Sequence, residues 1–209
     1  MNDSVMHESS SQSVPEEIVP IKKTDHSLFT YTVVALGLAL FIRFFIAAPY
    51  VVSGASMEPN FHDWEYLIVD RITYKFDKPA RGDVVIFDLP QNTSRALIKR
   101  VIGLPGETVA LSGNEVSIIN EEHPEGFTLE EPYLSTANLG GASNQRVTLA
   151  SGEYFVLGDN RRVSADSRIW GVLPQDEIVG RVVLRLYPFN AISILPSHST
   201  YAPDLTTRE

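Results

Sequence analysis

The stretch "ALIKRVIGLPGETVAL", residues 96–111, decides the fold. Branched apolar residues flank a Pro-Gly pair, so it reads as a strand, a turn and a second strand. Upstream, "RGDVVIFDLP" (81–90) is a short apolar strand entered by a turn and stopped by a proline. "EYLIVDRITY" (65–74) alternates and is rich in branched and aromatic residues, a further strand. Downstream, "GNEVSIIN" (113–120), "EYFVLGDN" (153–160) and "EIVGRVVLRLYPF" (177–189) read the same way. Residues 120–146 are polar and rich in Gly, Asn and Glu, the composition of a long loop or excursion. Helical periodicity is not evident after residue 50, nor is an internal repeat. The expected fold is mainly β.

One segment stands apart. Ser27–Ile42, "SLFTYTVVALGLALFI", carries no charge, and after Arg43 the apolar run resumes as "FFIAAPYVV". A spanning helix needs about 20 apolar residues, and Leu28 to Ala48 supplies them if Arg43 snorkels toward a headgroup. The long acidic stretch before it is unlike the start of a cleavable signal. The reading is a disordered tail over 1–26, a single transmembrane helix over 27–48, a β-rich domain over 49–195 with the 120–146 excursion, and a tail over 196–209. Lys22 and Lys23 precede the run, so the N-terminus is expected in the cytoplasm and the domain outside it.

Composition narrows the functions. The 209 residues carry a net charge of −9, and no basic block exists to contact phosphates. Nucleic acid is thereby an unsuitable partner. The absence of cysteine excludes disulfides, thiolate metal sites and a Cys nucleophile.

What remains is a serine. "VVSGASMEPNF" (51–61) sets Ser56 in a small turn at the end of the apolar run. A serine hydroxyl attacks only with a base beside it. Of five histidines, His7 and His26 precede the run, His123 lies in the excursion and His198 in the tail. His62, next to Asp63, leaves open a Ser-His-Asp arrangement. Lysine is the other candidate, provided burial makes it neutral near pH 7–8, at a cost of roughly 4 kcal/mol. Lys75 and Lys78 sit in a polar turn. Lys99 is the one lysine that the pattern buries, with Leu97 and Val101 on its strand face. A third cluster, "GDNRRVSADSRIWG" (158–171), is a polar turn able to orient a neighbour.

The order of "SGASMEPN", "RGDVVIF", "ALIKRVIGLPGE" and "GDNRRVSADSRIWG" behind one apolar run resembles bacterial type I signal peptidase. That family comprises membrane-anchored serine proteases with a Ser-Lys dyad, and its β-rich catalytic domain is of a type shared with self-cleaving repressors. The resemblance implies Ser56 as nucleophile, Lys99 as general base and Ser164 as the hydroxyl that orients the lysine amine. It implies Asp159, Asn160, Asp166, Ser167 and Arg168 as the supporting turn. Gly103, Pro105 and Gly106 would shape the turn after the lysine strand. The backbone N–H of Ser56 would hold the oxyanion. Some members add a serine hydroxyl two residues earlier, where this chain has Gly54, with Ser53 one residue further back.

Substrate pockets follow by position: Tyr50, Val52, Leu67, Ile86 and Ile98 for the third residue before the cut, and Val52, Ser53, Met57, Phe61, Leu97 and Ile98 for the first. The implied partners are preproteins with signal peptides and membrane lipid, with an exposed apolar surface near Tyr50, Phe61 and Trp64. No cofactor or metal is implied. The rivals are an anchored binding domain without catalysis, a hydrolase built on Ser56 and His62, and a self-cleaving repressor. The first leaves Ser56, Lys99 and Ser164 together unexplained, and the last is disfavoured by the apolar run.

Overall fold

A computed structural model describes residues 26–89, 92–141, 143–197, 199 and 201. Two compact units divide the chain, Met1–Gly37 and Leu38–Glu209. Helix α1 (His26–Phe41) runs into a π-helical turn, Ile42–Ile46, and then into strand β1 (Ala47–Val51). Strand β2 (Tyr66–Asp70), the one-turn helix α2 (Thr73–Phe76) and strands β3 (Val84–Leu89) and β4 (Asn92–Gly103) follow. Next come β5 (Thr108–Gly113), β6 (Glu115–Ile119), β7 (Phe127–Thr128), β8 (Ser143–Thr148) and β9 (Glu153–Leu157). The one-turn helix α3 (Ser167–Trp170), β10 (Leu173–Pro174), β11 (Ile178–Tyr187) and β12 (Ser193–Ile194) complete the order.

The strands form two antiparallel sheets. The larger has eight strands in the order β1-β2-β11-β3-β4-β9-β10, with β12 against β11. The smaller runs β7-β6-β5-β8. The stretch at 96–111 joins them: β4 ends in the large sheet and β5 opens the small one. Gly103 has no room for a side chain, since a Cβ would lie 2.4 Å from Val109 Cγ2. Gly106 takes φ +87°, a region L-residues avoid, which is why glycine follows the proline.

Three apolar clusters hold the strands. Val52, Met57, Phe61, Leu67, Val69, Ile86 and Ile98 pack beneath the serine turn. Val85, Phe87, Val101, Tyr154, Val156 and Leu173 form a second cluster. Ile102, Val109, Leu111, Ile118, Leu149, Phe155 and Leu157 tie the small sheet to the large one. Full burial of each large side chain stabilises by about 1.5–3 kcal/mol, so these clusters fix the strands that carry the site.

The structure revises several expectations. The helix expected over 27–48 stops earlier, because Ala47 and Ala48 pair with Asp70 and Val69 as strand residues. No helix among the described residues is long and apolar enough to cross a membrane. Large apolar side chains of α1 are exposed, Leu28, Phe29, Tyr31, Val34 and Leu36 among them. The excursion ends before Ser143, since Ser143–Thr148 pairs along its whole length with β5. Its polar side chains alternate with half-buried ones on an edge strand, so hydrophobicity alone does not reveal it. Helices α2 and α3 have four residues each, too few to show a period. The tail expected over 196–209 is in part docked: Arg100 donates to Ser197 O at 2.6 Å and to Ser197 Oγ at 2.8 Å, and Tyr201 packs against the small-sheet cluster. The tail expected over 1–26, up to residue 25, and residues 202–209 lie outside the described residues, as do His7 and His198.

Candidate active site

Strand β4 presents two cations in succession. Register sets Lys99 opposite Val85 and Leu97 opposite Phe87, so the lysine stands in an apolar row with Val101. It is 2% exposed. Burial strips water from its ammonium and pulls its pKa from 10.5 down to about 8, while the negative charges of Asp166 and Asp159 pull upward. Nζ lies 2.8 Å from Ser56 Oγ and donates to Ile98 O at 2.7 Å. Ser56 itself is half-buried, at the start of a tight turn closed by Asn60 N and Phe61 N on Met57 O at 3.0 and 2.9 Å. A hydroxyl in direct contact with an amine whose pKa burial lowers is an arrangement in which the amine can act as base toward the hydroxyl.

The turn after β9 braces this pair. Asn160 N donates to Ser56 O at 2.9 Å. Asp159 takes two bonds from Arg100, Nε to Oδ1 at 2.9 Å and Nη2 to Oδ2 at 2.6 Å, with both side chains buried. Asp166 caps α3 and accepts from Gly158 N at 3.0 Å and from Arg168 Nε and Nη2 at 2.8 Å each. Ser167 Oγ accepts from Val156 N at 3.0 Å. Ser164 is buried against Gly158, and among the described residues its hydroxyl has no hydrogen-bond partner; the bond to the Lys99 amine that the resemblance implies is not made there. Asn160 Oδ1 is likewise unpartnered.

Beside Ser56 and Lys99 lies a cleft of about 80 Å³. Tyr50, Val52, Ser53, Leu67, Ile86, Leu97 and Ile98 line it, and so do Val51 and Ala96. Met57 and Phe61 do not: both are fully buried in the cluster beneath it. Their position one and five residues after Ser56 points them inward, because the tight turn folds back over the sheet. Phe61 is therefore no part of an exposed apolar surface, whereas Trp64 is 70% exposed. Gly54 takes φ +96°, and its N–H donates to Asp63 Oδ1 at 2.8 Å, so backbone conformation rather than lack of space calls for glycine there. His62 pairs with Glu65 at 3.5 Å and its side chain is 58% exposed.

Further residues of the site carry no signal in the sequence. Asn60 Nδ2 donates to Asp159 Oδ2 at 2.8 Å and to Tyr133 O at 2.9 Å. Glu131 binds the buried Arg161, and the Tyr133 ring lies 3.9 Å from Arg100 Cζ. Spacing cannot find such pairs, because Asn60 and Asp159 meet only once the sheets are assembled. Among the described residues, no cluster of His, Asp and Glu is arranged to hold a metal ion.

Comparison with known proteins shows the family. Residues 26–187 match the family described as signal peptidase, peptidase S26. The probable signal peptidase I-1 of Synechocystis sp. is 36% identical over 180 residues, covering 83% of this chain and 87% of its own length. Signal peptidase I of Leptolyngbya laminosa is 40% identical over 171 residues, 78% of this chain and 80% of the relative. Signal peptidase IB of Staphylococcus aureus is 34% identical over 178 residues, 76% and 89% respectively.

Proposed function

The chain belongs to the signal peptidase family, peptidase S26, and is a serine endopeptidase that removes signal peptides; we propose that it cuts through Ser56 as nucleophile and Lys99 as general base. The 2.8 Å contact between Lys99 Nζ and Ser56 Oγ carries this reading. Neutral Lys99 takes the hydroxyl proton as Oγ attacks the scissile carbonyl carbon, and the oxyanion forms against backbone N–H groups, that of Ser56 among them. The protonated amine then gives its proton to the leaving amine. Water, deprotonated by Lys99, releases the acyl group and restores the serine. Ser164, buried beside Gly158, would take up a bond to the amine as it shifts between these steps. Asp159, Asn160, Asp166, Ser167 and Arg168 hold the turn.

The cleft accounts for selectivity. Its small volume and rigid walls of Val52, Ile86, Leu97 and Ile98 fit alanine-sized side chains and reject large ones. An extended substrate adds along Tyr50–Ser53, its backbone bonds supplying affinity. His62 has no part in this scheme, being engaged with Glu65.

Membrane anchoring belongs to the same proposal. The uncharged run Ser27–Ile42, most of it in α1, is the segment that would meet the bilayer. Apolar side chains exposed around a helix want lipid or a partner. With Lys22 and Lys23 ahead of it, the N-terminus is cytoplasmic and the catalytic domain extracytoplasmic. The docking surface excludes Phe61. It centres on Trp64, Tyr66, Tyr187 and Phe189, whose rings meet edge to face from Tyr66 to Tyr187 at 5.9 Å and from Tyr187 to Phe189 at 5.6 Å.

The test is cleavage of a preprotein in detergent by wild type, Ser56→Ala and Lys99→Ala from pH 6 to 10. Both variants should fall to background, and wild-type activity should rise with pH to a midpoint near the Lys99 value of about 8. Normal activity in Lys99→Ala would place the base elsewhere.

A further inference from the structure

We infer that residues 129–141 form a strap that sets the position of the nucleophile turn, with Asn138 and Asn60 as positioning residues for Ser56. The inference rests on the Ser56–Lys99 reading above. Two ties carry it. Asn138 Nδ2 donates to Glu58 O at 2.8 Å, two residues beyond Ser56. Asn60 Nδ2, at the end of the same turn, donates to Tyr133 O at 2.9 Å and to Asp159 Oδ2 at 2.8 Å. On its other side the turn is held by Asn160 N on Ser56 O. Ser56 thus sits between two grips, one from the 158–171 segment and one from the strap.

The strap is anchored where the site needs rigidity. Glu131 binds Arg161, whose Nε donates to Gly158 O at 3.1 Å. Tyr133 donates its hydroxyl to Glu131 at 2.6 Å, and its ring lies on the guanidinium of Arg100, the neighbour of Lys99. Arg168, the partner of Asp166, donates to Gly141 O at 3.0 Å. The strap therefore touches Arg100 and Arg168, the partners of Asp159 and Asp166, whose negative charges act on Lys99. A long polar excursion with this many buried ties is structured for a purpose beyond linking β7 to β8.

Position is what such a grip controls. A nucleophile displaced by about 1 Å from its base loses on the order of 10²-fold in rate. Asn138 is only half-buried, at the end of the single turn Thr136–Asn138 whose cap is Ser135, so its truncation leaves the core intact.

The experiment uses the full chain in detergent with a preprotein substrate and compares wild type, Asn138→Ala and Asn138→Asp. Aspartate keeps the shape and loses the donor. Both variants should lose kcat by about tenfold, with KM, the pH midpoint and the thermal midpoint unchanged, and Asn60→Ala combined with Asn138→Ala should lose about 10²-fold. A purely structural tie would instead lower the thermal midpoint and reduce kcat only with the folded fraction, which overturns the inference. Values of kcat within twofold of an active wild type overturn the strap alone. A wild type that cleaves nothing overturns the Ser56–Lys99 reading and the strap with it.

Discussion

Replacing Lys99 with methionine should abolish activity and stabilise the protein, by an amount that depends on pH. Methionine nearly matches the lysine stem in length and suits the apolar row of Val85, Leu97 and Val101. Folding takes the Lys99 ammonium from 10.5 to about 8. At about 1.4 kcal/mol per unit, the folded wild type at pH 7 carries a penalty of about 3 kcal/mol that the variant lacks. Loss of the bonds to Ser56 Oγ and Ile98 O returns part of it, about 1 kcal/mol for each partner left bare. The pH dependence is free of that correction. Between pH 8 and 10.5 the unfolded wild type holds a proton that the folded state has lost, so raising pH favours folding of the wild type. The stability gap between variant and wild type should be constant below pH 7 and shrink by about 2–3 kcal/mol on going to pH 10. Urea unfolding of both proteins at pH 6, 7, 8, 9 and 10 measures it. A gap that stays flat within about 0.5 kcal/mol would show that Lys99 is not desolvated in the free enzyme, and the argument for its neutral form would fail.

Three further outcomes follow from the geometry. Gly158→Ala places a Cβ 2.2 Å from Ser164 Oγ and 2.5 Å from Ser56 O, so kcat should fall by about 10²-fold in a folded protein; loss below threefold would mean the turn yields freely. Arg100→Lys gives up the two-bond grip on Asp159 and the stack on Tyr133, leaving a buried carboxylate poorly matched. Its cost should be about 3 kcal/mol, a thermal midpoint roughly 5–10 °C lower, and an unchanged midpoint would contradict the assigned pairing. Ile86→Ala removes a cleft wall and should permit cleavage after larger side chains, read from a panel of substrates varied before the cut; an unchanged preference would move the selectivity away from this cleft.

Lys99 was legible in the sequence because a strand has a period of two, so Leu97 and Val101 disclose where its side chain starts. Strands β2 to β6, β9 and β11 were legible for the same reason. Other features follow no local rule. Met57 and Phe61 resemble cleft residues by position, yet the turn they belong to folds them into the core. The polar strand β8 hides its pairing because an edge strand need not bury alternate residues deeply. Ser197 and Tyr201 sit in what reads as a tail, and only the guanidinium of Arg100 and the hydroxyl of Tyr133 give them partners.

The amino-acid sequence by itself determined the β-rich class, the apolar run before it, and Lys99 as the lysine that its strand buries, since alternation and hydropathy act over a few neighbouring residues. The tertiary structure decided that Lys99 reaches Ser56 across 43 positions of chain, that burial lowers the pKa of its amine, and that the excursion closes on the Ser56 turn. Distance, desolvation and hydrogen-bond partnership are properties of groups brought together by packing, and no local pattern encodes them.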